Sequence, residues 1–267
     1  MNTYYAVLKL RLQTGLQYRT AAWAGVATQF FWGLIYIMLF QAFYSGAAGK
    51  QPISLEQLTT YVWLQQAFLA FIMLWFRDNE LFDLITSGNI AYELCRPADL
   101  YSFWYAKLLA QRLSAALLRF APILLIAFWL PTPYGLSLPP GPWQGGLFVL
   151  ALLIGLLLLV AISMFIYISV FITMSPIGSL LIFAITGEFL SGMIVPLPLM
   201  PDWLQRILYV LPFRLTVDFP FRVYSGHIPT QEALWGIVQQ IAWLLVLIWL
   251  GKKTMRSVLR RVVVQGG

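Results

Sequence analysis

Few residues in this chain could carry chemistry. Ser225 and His227 set a hydroxyl two positions from an imidazole. No third group is placed to orient that ring, so they read as parts of a solvated loop and not as a nucleophile with its base. Cys95 is the only cysteine and His227 the only histidine, too few for a thiolate and imidazole metal site or an internal disulfide. Cys95 reads instead as a small buried residue. Of the 10 acidic residues only Glu188 falls inside an apolar stretch, so no two carboxylates meet there for acid and base work. No catalytic residue, no metal and no bound cofactor are expected.

The charge gathers elsewhere. Residues 77–101, RDNELFDLITSGNIAYELCRPADLY, hold Arg77, Asp78, Glu80, Asp83, Glu93, Arg96 and Asp99 between two long apolar segments. Leu81, Leu84 and Ile85 fall at i, i+3, i+4 spacing while Glu80, Asp83 and Ser87 share another face, which predicts a short amphipathic helix. Gly88 is placed to end it in the left-handed conformation. Arg96 and Pro97 then impose an extended link. Two readings stand: a grip for a soluble partner, or an ordinary solvated loop.

The elements around this island belong in lipid. The chain is 60% hydrophobic and 10% charged, against about 45–50% and about 25% in a soluble domain. The net charge of +7 comes from basic residues at the ends of apolar segments, where they set topology instead of forming a nucleic-acid patch. Residues 1–20, with Lys9, Arg11 and Arg19 among leucines, read as a basic interfacial helix. They make a poor signal peptide, because the apolar run that follows is too long and lacks a cleavage site. Apolar runs over 21–49, 58–76, 102–130, 146–173, 179–195 and 233–251 predict six transmembrane helices. Five prolines between 131 and 142 mark the loop after the third run, and Met174 to Gly178 a tight turn. Lys107 and Arg112 are expected to snorkel to headgroups. Trp63, Trp75, Trp104, Trp129, Trp143 and Trp249 are expected in interface belts.

Six spans put both termini on one side. The N-terminal segment, the island and the basic tail over 252–267 share that side, while residues 131–145 opposite carry no charge. The positive-inside rule makes the shared side cytoplasmic. Lys50, Arg206, Arg214 and Arg222 fall outside, against the bias. The outer segment over 196–230 begins with Pro196 and Pro201. Trp203, Leu204, Ile207, Leu208 and Leu211 then make an apolar face before Pro212, a helix too short to cross that lies in or dips into the outer leaflet. A second short piece runs from 213 to 224.

Arg119 and Glu188 both fall near mid-bilayer at about 1.5 Å per residue. They either meet as a pair or share a hydrated cavity, or else Arg119 snorkels inward and Glu188 sits at a break in its span. Ala184, Gly187 and Ser191 give that span a small-residue face, suited to close packing within the chain or against a second subunit. Gly192 and Pro196 mark its bend into the outer segment.

The stretch FLSGMIVPLPLMPDWLQRILYVLPFR, with VYSG before the last span, resembles the closing part of ABC-2 type transporter permeases, membrane subunits of ATP-binding-cassette exporters. LRLQTGLQYRTAAWAG near the start and ITSGNIAYELCRPAD in the island resemble the same family, notably its branch of roughly 260-residue permeases that occur as pairs; the likeness covers nearly the whole chain. It implies an all-α, polytopic fold forming a single transmembrane domain over 1–267. In it, a cytoplasmic coupling region over 77–100, with its coupling helix, docks a separate ATPase, and short re-entrant helices lie outside before span six. It further implies a dimer with an identical or homologous permease in a bacterial cytoplasmic membrane, and export of an amphipathic or hydrophobic substrate. The coupling role falls on Glu80, Leu81, Asp83, Leu84, Ile85, Gly88 and Arg96. ATP and Mg would be bound by the partner, since the chain has no GxxxxGK[ST] loop. An ATP-independent carrier or channel and the membrane subunit of an importer remain as alternatives. A carrier would call for more intramembrane carboxylates or a visible repeat.

Overall fold

Helix starts fall where capping chemistry is written into the sequence. Ser54 and Gln57 form a reciprocal capping box, Gln57 N–H donating to Ser54 Oγ at 3.1 Å and Ser54 N–H to Gln57 Oε1 at 3.2 Å. Asp78, Asp99 and Ser175 each accept from a backbone N–H in the following turn. The computed structural model describes residues 3–17, 19–46 and 51–261. Lys50 and residues 262–267 of the basic tail lie outside the described residues.

The elements are α1 (Thr3–Gly15), α2 (Arg19–Gly46), α3 (Leu55–Ala67), α4 (Leu69–Ile72), α5 (Asn79–Thr86), α6 (Ile90–Leu94), α7 (Leu100–Leu117), α8 (Phe120–Trp129), α9 (Pro142–Thr173), α10 (Pro176–Leu190), α11 (Asp202–Val210), α12 (Asp218–Tyr224) and α13 (Thr230–Leu259). Two 3₁₀ turns flank α11, and no strand occurs among the described residues. Four helical stretches are long and apolar enough to cross a membrane: Ala22–Gly46, Leu100–Trp129, Pro142–Thr173 and Thr230–Leu259.

The other two expected spans take a different form. The run over 58–76 breaks after α3 at Phe68, makes one turn as α4, and becomes extended at Met73 (φ −84°, ψ 122°). The run over 179–195 is the 15-residue α10, which starts earlier, at Pro176, and ends at Leu190. No proline or glycine lies between Phe68 and Met73. The break is therefore a tertiary event and not a local one.

α9 is the axis of the bundle. Its apolar window is 67% buried, against 22–28% for the other long helices, and it packs on α13, α12, α10, α7 and α5. The outer helices turn apolar side chains outward, among them Phe31, Met38 and Phe43 on α2 and Trp235 and Leu245 on α13. Two expectations fail, one inside this core and one at its surface. Trp63 and Trp104 are fully buried instead of belting the interface, while Trp129, Trp143 and Trp249 are exposed as expected. Cys95 is exposed, at the end of α6.

Candidate functional site

The polar island folds as a platform at the basic end of the bundle. Asp78 caps α5, accepting from Glu80 N–H at 3.0 Å, and Gly88 closes the turn with φ +78°. Leu81, Phe82 and Ile85 are buried, Phe82 lying 4.7 Å from the Tyr167 ring of α9. The Asp78 N–H donates to Tyr167 Oη at 2.8 Å. Asp83, Thr86 and Ser87 face out, and Leu84 is half-buried. The second half of the island, ahead of the Arg96 and Pro97 link, adds the short helix α6, which presents Tyr92 and Leu94 to the surface.

Charges lock the platform to its neighbours. Glu80, grouped with Asp83 and Ser87 on one face by the sequence reading, stays exposed but is tied back to the bundle: it bonds Arg11 of α1 and lies 3.0 Å from Lys107 Nζ of α7. Lys107 also sits 3.7 Å from Asp78. Burial alone would raise the Glu80 carboxyl, but Arg11 and Lys107 outweigh it and hold it below its ordinary value. Asp99 caps α7, takes the Ser102 N–H and hydroxyl, and lies 3.7 Å from Lys252 of α13. Arg96 pairs with Glu93 at 3.2 Å and lies over the Phe103 ring. The island, α1 and the basic end of α13 thus come together at one end of the bundle.

Beneath α5 and α6 a cavity of about 730 Å³ opens between α9, α10 and α13. Phe165, Ile168, Phe171 and Phe183 supply apolar walls, Ser169, Thr254 and Ser257 hydroxyls, and Arg261 a cation. Nothing in the sequence pattern pointed to it, because its walls come from four separate segments.

Lys107 and Arg112 do not snorkel; both are buried in the core. Arg112 fills the break in the second apolar run. Its Nη1 donates to Ala70 O and Met73 O at 3.2 and 2.7 Å, and its Nη2 to Phe76 O and Ser163 Oγ at 3.0 and 3.1 Å. Glu188 takes the amide side, accepting from Leu74 N–H at 3.2 Å. Arg119 and Glu188 therefore do not pair. Arg119 sits between α7 and α8 with its guanidinium against Gly25 of α2. The small face of α10 is spent inside the chain, with Gly187 against Leu74.

At the opposite end Gly192 turns the chain with φ +85°, which a side chain would oppose, and its carbonyl accepts from Tyr61 Oη at 2.9 Å. Pro196 leads into a 3₁₀ turn, Pro201 precedes α11, and Pro212 begins the turn to α12. Leu208 is the buried residue of α11, while Trp203, Ile207 and Val210 are exposed. The sequence reading missed the group that ties this segment down. Asp218, fully buried, bonds Arg222 Nη1 at 3.0 Å and Leu197 N–H at 3.2 Å. Arg222 also reaches Tyr209 Oη at 3.3 Å, and Arg214 donates to Gln239 Oε1 at 2.7 Å. The i, i+4 spacing of Asp218 and Arg222 was the available signal.

Helices of membrane length with apolar outer faces, closed at one end by a charged platform, define a multi-pass helical membrane protein. The family profile described as ABC-2 family transporter protein matches residues 24–266, so the chain belongs to that family, a component of membrane transport. A search of curated proteins finds no match.

Proposed function

We propose that this chain is the permease subunit of an ABC exporter, paired with a second permease and driven by a separate ATPase that binds ATP and Mg. Family membership carries this reading. The island supports it. α5 is fixed from behind by Tyr167, Lys107 and Arg11, while Asp83, Thr86 and Ser87 are left open to a partner. A push on that face reaches α9 through Phe82 and Tyr167 and α7 through Lys107 as a rigid-body shift. Because α5 and α6 form one wall of the 730 Å³ cavity, the same shift reshapes it.

In this reading the broken α3–α4 segment and α10 complete six crossings, and the basic end faces the cytoplasm with both termini. The cavity walls, apolar with scattered hydroxyls, suit an amphipathic substrate. The test is a mild-detergent pull-down from the native membrane with ATP hydrolysis measured on the eluate. A co-purified ATPase whose turnover falls with Asp83→Arg supports the proposal. A clean permease without ATPase, under conditions that keep other membrane complexes intact, overturns it. Vesicle transport assays read direction.

A further inference from the structure

Arg119 is a cation that the fold leaves without an acid. Among the described residues no carboxylate lies within ion-pair distance of it, and its Nε is enclosed without a hydrogen-bond partner. A guanidinium cannot shed its charge, and a bare one at membrane depth is costly. Gly25 makes room for it: a Cβ there would come within 2.9 Å of Arg119 Cζ.

Arg119 lines a groove of about 500 Å³ between α1, α2, α7 and the start of α5, together with Arg11 and Arg77. The acids of that groove are already engaged, Asp78 by Lys107 and Glu80 by Lys107 and Arg11. Among the described residues the Arg77 side chain bonds only Asn79 Oδ1, at 3.0 Å. Three cations line the groove beside two acids that Lys107 and Arg11 already engage, which leaves unspent positive charge on Arg77 and Arg119.

The guanidinium fork matches phosphate oxygens two at a time, and basic pockets between membrane helices collect anionic headgroups. We propose that this groove binds the phosphate of an anionic amphiphile, with Arg77 and Arg119 as its ligands. The inference needs only the chain's place in the membrane. It is measured on the permease alone, so its failure leaves the export reading untouched.

The experiment is native mass spectrometry of the full chain released from detergent, titrated with phosphatidylglycerol, phosphatidylcholine and inorganic phosphate. Wild type should hold phosphatidylglycerol about tenfold more tightly than phosphatidylcholine. The double variant Arg77→Gln/Arg119→Gln should lose that preference. Gly25→Leu, which keeps every charge but displaces the guanidinium, should weaken it. Displacement of the lipid by millimolar phosphate would assign the site to a soluble phosphate; retention assigns it to the headgroup. An undiminished preference in the double variant overturns the proposal. Should that variant not fold, an undiminished preference in both Gly25→Leu and the rim variant Arg77→Gln does the same.

Discussion

Arg112 and Glu188 hold one broken segment, the cation by its carbonyls and the acid by an amide. The guanidinium takes the carbonyls of Ala70, Met73 and Phe76, and the carboxylate takes the amide of Leu74. A chain that leaves the helix inside a bilayer frees backbone groups that lipid cannot satisfy. These two side chains, from α7 and α10, stand in for the missing helical bonds, which couples the α3–α4 segment, α7 and α10 at one point.

Arg112→Met should therefore destabilise the fold by about 3–5 kcal/mol, because several buried carbonyls lose their donors at once. Glu188→Gln keeps an acceptor for Leu74 N–H and should cost only about 1 kcal/mol. Thermal unfolding in detergent reads both. Equal effects from the two substitutions would show that charge, and not backbone satisfaction, is what the site supplies.

Two substitutions on α5 should part company. Asp83 is exposed, so Asp83→Arg should leave the melting temperature unchanged and abolish substrate-stimulated ATP turnover of the assembled complex. Ile85 is 4% exposed, so Ile85→Asp should destabilise the platform itself, by about 3 kcal/mol or more, before any coupling is tested. Normal turnover in Asp83→Arg would sink the coupling role.

Asp218→Asn should loosen the outer segment. Removing one partner of a buried pair costs about 3–5 kcal/mol, since Arg222 would remain buried beside a neutral amide. Hydrogen exchange over residues 197–224 should rise, while exchange in the core of α9 stays slow. Protection that does not change would mean that packing alone holds the segment.

The pH dependence should have two parts. Burial, with Arg222 nearby, pushes His227 down to about 4 from 6.5, so below pH 6.5 the unfolded chain takes up a proton that the folded chain refuses until about pH 4. Stability should fall as pH drops through that window, and His227→Gln should flatten the fall. Glu80, held below its ordinary 4.5, contributes stability above that pH that is lost on further acidification. Glu80→Gln should remove this second limb. Melting curves between pH 3 and 8 separate the two, and a limb that survives its own substitution refutes that assignment.

The sequence by itself determined what each segment could be. Apolar length marked the long helices, since about 20 residues must hide their backbone from lipid. Gly88 closed α5, and Pro201 and Pro212 bracketed α11, because caps and breakers act over a few residues. The turn before α10 and the bend at Gly192 were legible for the same reason. The tertiary structure decided where the charges went. Glu80 is tied back to the bundle because Arg11 and Lys107, remote in sequence, lie beside it. The second apolar run broke because Arg112 and Glu188 reach it from other helices, and Arg119 settled against Gly25 and not beside Glu188. Burial and ion pairing depend on neighbours brought from 20 to more than 100 positions away, and no local pattern encodes them.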